Sequence, residues 1–98
     1  MIFIFYISKG LRREKNNTKT RITVKLNTID KVNHFTSITM KFDSEIDVIR
    51  DSYRVDGKSA LGILTVDLRK PLDVEIHSCN EEEIIRFNKE MEEFIWEQ

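Results

Sequence analysis

The side chains best suited to chemistry near neutral pH are few in this sequence: two histidines, His34 and His77, and one cysteine, Cys79. An imidazole can shuttle protons or bind a metal, and a thiolate can attack or ligate. Two histidines this far apart, with no second cysteine and no spaced carboxylate pattern, do not make a metal site. His77 alternates with Glu75 on the polar side of a strand, and His34 lies about a turn inside a helix, so each reads as an ordinary surface histidine. Cys79 falls between a strand end and a helix cap and reads as a small packing residue. It also excludes an intramolecular disulfide, which suits a reducing cytoplasm. There is no glycine-rich phosphate loop and no paired-carboxylate arrangement. Ser59 precedes the short apolar segment Ala60, Leu61, Ile63 and Leu64, where its hydroxyl can cap a helical turn.

These residues must be held by a regular set of elements. Ile22, Val24 and Leu26 alternate with Thr23 and Lys25, the period of a half-buried strand. Asn27 is placed to cap the helix that follows, in which Ile29, Val32, Phe35, Ile38 and Phe42 recur at three- and four-residue steps. Glu45 to Arg50 and Tyr53 to Val55 form two strands joined by a tight turn at Asp51-Ser52. After the turn of helix headed by Ser59, Pro71 precedes a fourth strand, Leu72 to Ser78, with Leu72, Val74 and Ile76 on one face. Asn80 then caps a helix with three acids in its first turn and the stripe Ile84, Phe87, Met91, Phe94 and Ile95. The order β-α-β-β-α-β-α, with every strand apolar on one side, predicts an α+β fold in which all helices cover one face of a four-stranded sheet.

Residues 21–98 therefore read as one domain. Residues 1–20 read as a flexible N-terminal extension that includes the apolar run Ile2–Ile7. That run is far shorter than the ~20 residues of a membrane-spanning helix, so no membrane association is expected. The charges nearly balance, 16 basic against 17 acidic. Six of the bases lie in the first 21 residues, opposed there only by Glu14, which leaves the predicted domain acidic. An acidic body is a poor match for nucleic acid, whose binding depends on Lys and Arg displacing condensed counterions. RNA recognition on an open sheet would want exposed aromatics, whereas the outward positions are Thr23, Lys25, Glu45, Asp47, Asp73 and Glu75.

The element order, together with Lys58-Ser59-Ala60-Leu61-Gly62-Ile63-Leu64 inside the longer segment Val55–Leu68, resembles HPr, the histidine-containing phosphocarrier family of the bacterial sugar phosphotransferase system. The resemblance extends over about residues 21–96. It implies the open-faced β-sandwich of that family, a four-stranded antiparallel sheet with helices on one face. Phosphocarriers of the family carry G-L-H-x-R-P at the junction of the first strand and helix. There a neutral imidazole accepts the phosphoryl group while the helix N-terminus and the arginine hold its charge. Here the junction reads Leu26-Asn27-Thr28-Ile29-Asp30-Lys31-Val32-Asn33, with Lys31 or Asp30 at about the position of the nucleophile. A lysine with an ordinary pKa of about 10.4 is almost fully protonated, and an aspartate repels phosphate. His34 is the weaker alternative acceptor.

The resemblance further implies that Ser59 is a site of regulatory phosphorylation, with Lys58, Ala60, Leu61 and Leu64 on a partner-binding patch. In the family this serine is phosphorylated by HPr kinase, and the phosphoprotein binds a catabolite repressor. The expected function is that of a cytoplasmic HPr-like protein, not an enzyme, that regulates or docks in the phosphotransferase network without histidine phosphotransfer. It requires no cofactor or metal, and enzyme I, HPr kinase or a catabolite repressor is its expected partner. Two alternatives stand beside it: an active phosphocarrier using a non-standard acceptor, and an unrelated small ligand- or protein-binding α+β domain.

Overall fold

A computed structural model describes residues 18–96. Most of the expected N-terminal extension, residues 1–17 with the apolar run Ile2–Ile7, lies outside the described residues. The elements are β1 (Arg21–Val24), α1 (Ile29–Thr39), β2 (Glu45–Arg50), β3 (Tyr53–Asp56), α2 (Ala60–Ile63), β4 (Leu72–His77) and α3 (Glu81–Met91), the last continued by a 3-10 turn, Glu92–Phe94. The strands form one antiparallel sheet in the order β1-β4-β2-β3. Register lines up Ile22 with Val74, Val74 with Val48, and Val48 with Val55, so one row of apolar side chains crosses the sheet toward the helices. That row joins Val32, Phe35, Ile38, Phe87, Met91 and Phe94 in a single core. This is the α+β architecture that strand alternation and helical spacing require.

The opposite face of the sheet is polar apart from the buried Ile49, and several of its charges are paired across strands. Arg21 Nε donates to Asp73 Oδ2 at 3.0 Å and Thr23 Oγ1 to Asp73 Oδ1 at 2.8 Å. Arg54 reaches both Asp47 (2.7 Å) and Glu75 (3.1 Å), and His77 Nε2 lies 2.9 Å from the same Asp47 oxygen. This matched mosaic is no basic stripe, and it offers stacked aromatics nowhere along its rows. Near the end of the connection from α2 to β4, Arg69 forks onto Asp67 and holds its carboxyl down to about 2.

Local details depart from the sequence expectation where loops compete with helices. The cap of α1 is Thr28, whose Oγ1 accepts from the Lys31 amide at 3.1 Å, and not Asn27. The helix therefore begins at Ile29, too early for that side chain to reach the core, and it is 63% exposed. At the other end α1 stops at Thr39, and Phe42 is buried from a following turn, its ring edge-on to Phe87. Leu26 is likewise buried just beyond β1. Cys79, expected to pack, is exposed. Ile95, expected on the buried stripe of α3, lies beyond the helix in an extended segment that bridges Val24, and remains exposed. Lys25 N–H donates to the Phe94 carbonyl (2.8 Å) and Trp96 N–H to that of Thr23 (3.2 Å), so the C-terminal segment lies along the outer edge of β1. Just before β1, Asn88 exchanges hydrogen bonds with the Lys19 backbone, and the Thr20 carbonyl accepts from the Ile76 amide of β4.

Glu83, in the first turn of α3, fastens three segments together. Its carboxylate accepts from Ser44 Oγ at 2.5 Å, Ser78 Oγ at 2.6 Å, and the backbone amides of Asp43 and Ser44 at 3.1 Å each. Hydrogen bonds from the Ser44 and Ser78 hydroxyls favour the ionised form and lower its pKa from 4.5 to about 2. Because the native state holds this group deprotonated where the unfolded chain would take up a proton, its contribution is full above pH 4.5. That contribution is lost as pH falls toward 2. Glu83→Gln is expected to lower stability by about 1 kcal/mol at pH 7 and to flatten the fall in melting temperature between pH 5 and pH 2.5. Thermal denaturation followed by circular dichroism across that range checks it, and parallel curves for the two proteins would contradict it.

Candidate docking site at the head of α2

The short helix α2 hangs between the end of β3 and the C-terminal end of α1, and its approach is pinned by backbone and side chain alike. Gly57 N–H donates to the Ile46 carbonyl at 2.7 Å, and Thr39 Oγ1 donates to the Gly57 carbonyl at 2.8 Å. Lys58 sends its ammonium to the Phe42 carbonyl at 2.6 Å, tying the approach to α2 to the turn that follows α1. Asp56 takes the Lys58 amide on its side chain (3.0 Å) and the Ser59 amide on its carbonyl (3.1 Å).

Ser59 emerges from this anchorage in an extended conformation, φ −113° and ψ 110°, and its Oγ accepts from the Gly62 amide at 3.2 Å. It is therefore the N-cap of α2, as the spacing of the segment predicts, and it is half-buried. One turn of helix then sorts its side chains. Ile63 is fully buried and Ala60 packs against the core, whereas Leu61 is 80% exposed and Leu64 39%. Of the residues expected on a patch, Leu61 and Leu64 present apolar surface beside Ser59, Ala60 faces partly inward, and the Lys58 ammonium is engaged within the fold.

At the other candidate position, the first turn of α1, Asp30 and Lys31 are both exposed, and no histidine lies among Thr28, Ile29, Asp30 and Lys31. His34 sits further along the helix. Its Nε2 is 2.9 Å from Glu93 Oε1, and its ring tilts against Phe94 at 5.5 Å between centroids. The imidazole thus meets the turn after α3. His77 is on the polar face of the sheet with Asp47, so the two histidines and Cys79 are not brought together. Among the described residues no cluster of histidine, cysteine and carboxylate side chains has the makings of a metal site. No helix among them is long and apolar enough to cross a membrane.

Sequence reasoning did not find the threonine and lysine that anchor α2. The available signal was Thr36 and Thr39, two polar residues on the buried face of α1, which call for partners inside the fold. Thr39 is completely buried and has Gly57 as that partner.

No protein-family model matches this chain, and no curated protein does. Solved structures do. The crystal structure of HPr-C-His from Thermoanaerobacter tengcongensis is similar with a TM-score of 0.59 at 23% identity, over 76% of this chain and 92% of that one. The phosphocarrier protein HPr from Bacillus anthracis is similar with a TM-score of 0.53 at 20% identity, over 69% of this chain and 87% of that one. With the same open four-stranded antiparallel sheet and helices on one face, this chain has the fold of the HPr phosphocarriers.

Proposed function

We propose that this protein is a regulatory or docking member of the phosphotransferase network, built on the HPr scaffold and acting without histidine phosphotransfer. The observation that carries this reading is the start of α1, which opens with Thr28, Ile29, Asp30 and Lys31 and holds no imidazole, while the nitrogen of His34 is turned to Glu93. A phosphoryl acceptor needs a nucleophile within reach of the amides that stabilise the transferred charge. Ser59 and the exposed Leu61 and Leu64 supply the docking surface. HPr kinase would move the γ-phosphoryl of ATP to Ser59 Oγ, releasing ADP and the hydroxyl proton. The dianion placed at the head of α2 would then alter what the neighbouring apolar patch binds. The proposed partners are enzyme I, HPr kinase and a catabolite repressor, in the cytoplasm.

Mixing the protein with enzyme I and phosphoenolpyruvate, beside an ordinary HPr as positive control, is expected to give no acid-labile phosphate on this chain. Label on His34 would overturn the reading in favour of an active phosphocarrier. With HPr kinase and ATP, acid-stable phosphate is expected on Ser59 and none in Ser59→Ala, a variant that should lose only about 1 kcal/mol of stability with its cap. An unmodified Ser59 under those conditions would reduce its role to that of a cap. Leu61→Asp is expected to leave the melting temperature within about 2 °C of the parent, because the side chain is exposed, while weakening capture by the kinase at least about tenfold.

A further inference from the structure

We draw no further inference here: the strongest candidate, the outer edge of β3, where Arg54 and Asp56 lie two residues apart as if to pair with the same edge of a second copy, carries nothing because the Ser59 amide already takes the Asp56 carbonyl, Arg54 is engaged by Asp47 and Glu75, and nothing in the structure shows what covers it.

Discussion

Replacing Phe35 with alanine is expected to remove about 3–5 kcal/mol of stability, the range found when a fully buried aromatic is truncated and the cavity cannot collapse. Phe35 has no exposed surface, and its ring meets that of Phe94 edge-on at 5.5 Å. The contact joins α1 to the turn after α3, so the loss falls on the middle of the helical layer. Domains of this kind hold only about 5–15 kcal/mol in total. A melting temperature lower by about 15–30 °C should follow. Urea denaturation read by circular dichroism measures the change directly. His34→Ala, one residue earlier and facing outward, serves as the contrast: its exposed link to Glu93 is worth at most about 1 kcal/mol. Equal losses from the two substitutions would refute the packing described for α1.

Gly57→Ala is expected to cost about 2–3 kcal/mol, a large effect for one added methyl group. The reason is space and not backbone conformation, since no glycine among the described residues has a positive φ. A Cβ at Gly57 would stand 2.7 Å from the Ile46 carbonyl oxygen and 2.8 Å from its Cγ2. The oxygen belongs to a central strand and is also the acceptor of the Gly57 amide, so relief of the clash breaks that bond and disturbs the anchorage of α2. Gly62 gives the opposite case. Its added Cβ would meet nothing closer than Ser59 Oγ at 3.5 Å, so Gly62→Ala is expected to be neutral or to gain up to about 1 kcal/mol from helix propensity. Chemical denaturation of the two variants side by side tests the assignment. A Gly57→Ala protein as stable as Gly62→Ala would sink it.

The strands could be read from the sequence because a period of two dictates which residues face the helices, Ile49 being the exception, an apolar residue buried on the opposite face of β2. Ile22, Val48, Val74 and Ile76 all lie where alternation puts them. The caps at Ser59 and Asn80 were equally legible, since a short polar residue before an apolar turn has one obvious use. At the start of α1 two such residues, Asn27 and Thr28, stand side by side, and periodicity alone does not choose between them. The choice of Thr28 shifts the start of the helix and leaves Ile29 outside. The Glu83 clasp was illegible for another reason. Its partners Asp43, Ser44 and Ser78 come from two loops whose approach depends on the whole sheet, and acids in a first turn already have an explanation in the helix dipole.

The candidate site divides in the same way. Ser59 and its apolar neighbours are contiguous in sequence, so their association in one turn was visible at once. How each side chain is used was not. Lys58 reads as part of the exposed patch, yet its ammonium is held by the Phe42 carbonyl in the turn after α1, whereas Leu61, read onto the same patch, is among the most exposed apolar groups described.

The strand-like segment from Phe94 to Trp96 along β1 has a practical consequence for anyone following this protein in solution. Trp96 is the sole tryptophan in the sequence, so its emission reports on that clasp and not on the molecule as a whole. If fluorescence shifts at a lower denaturant concentration than the circular dichroism signal, the clasp has peeled from the sheet while the remainder is still folded. The bared margin of β1 would then offer unpaired amides and carbonyls to neighbouring molecules, making the fraying of three residues an early step toward clumping.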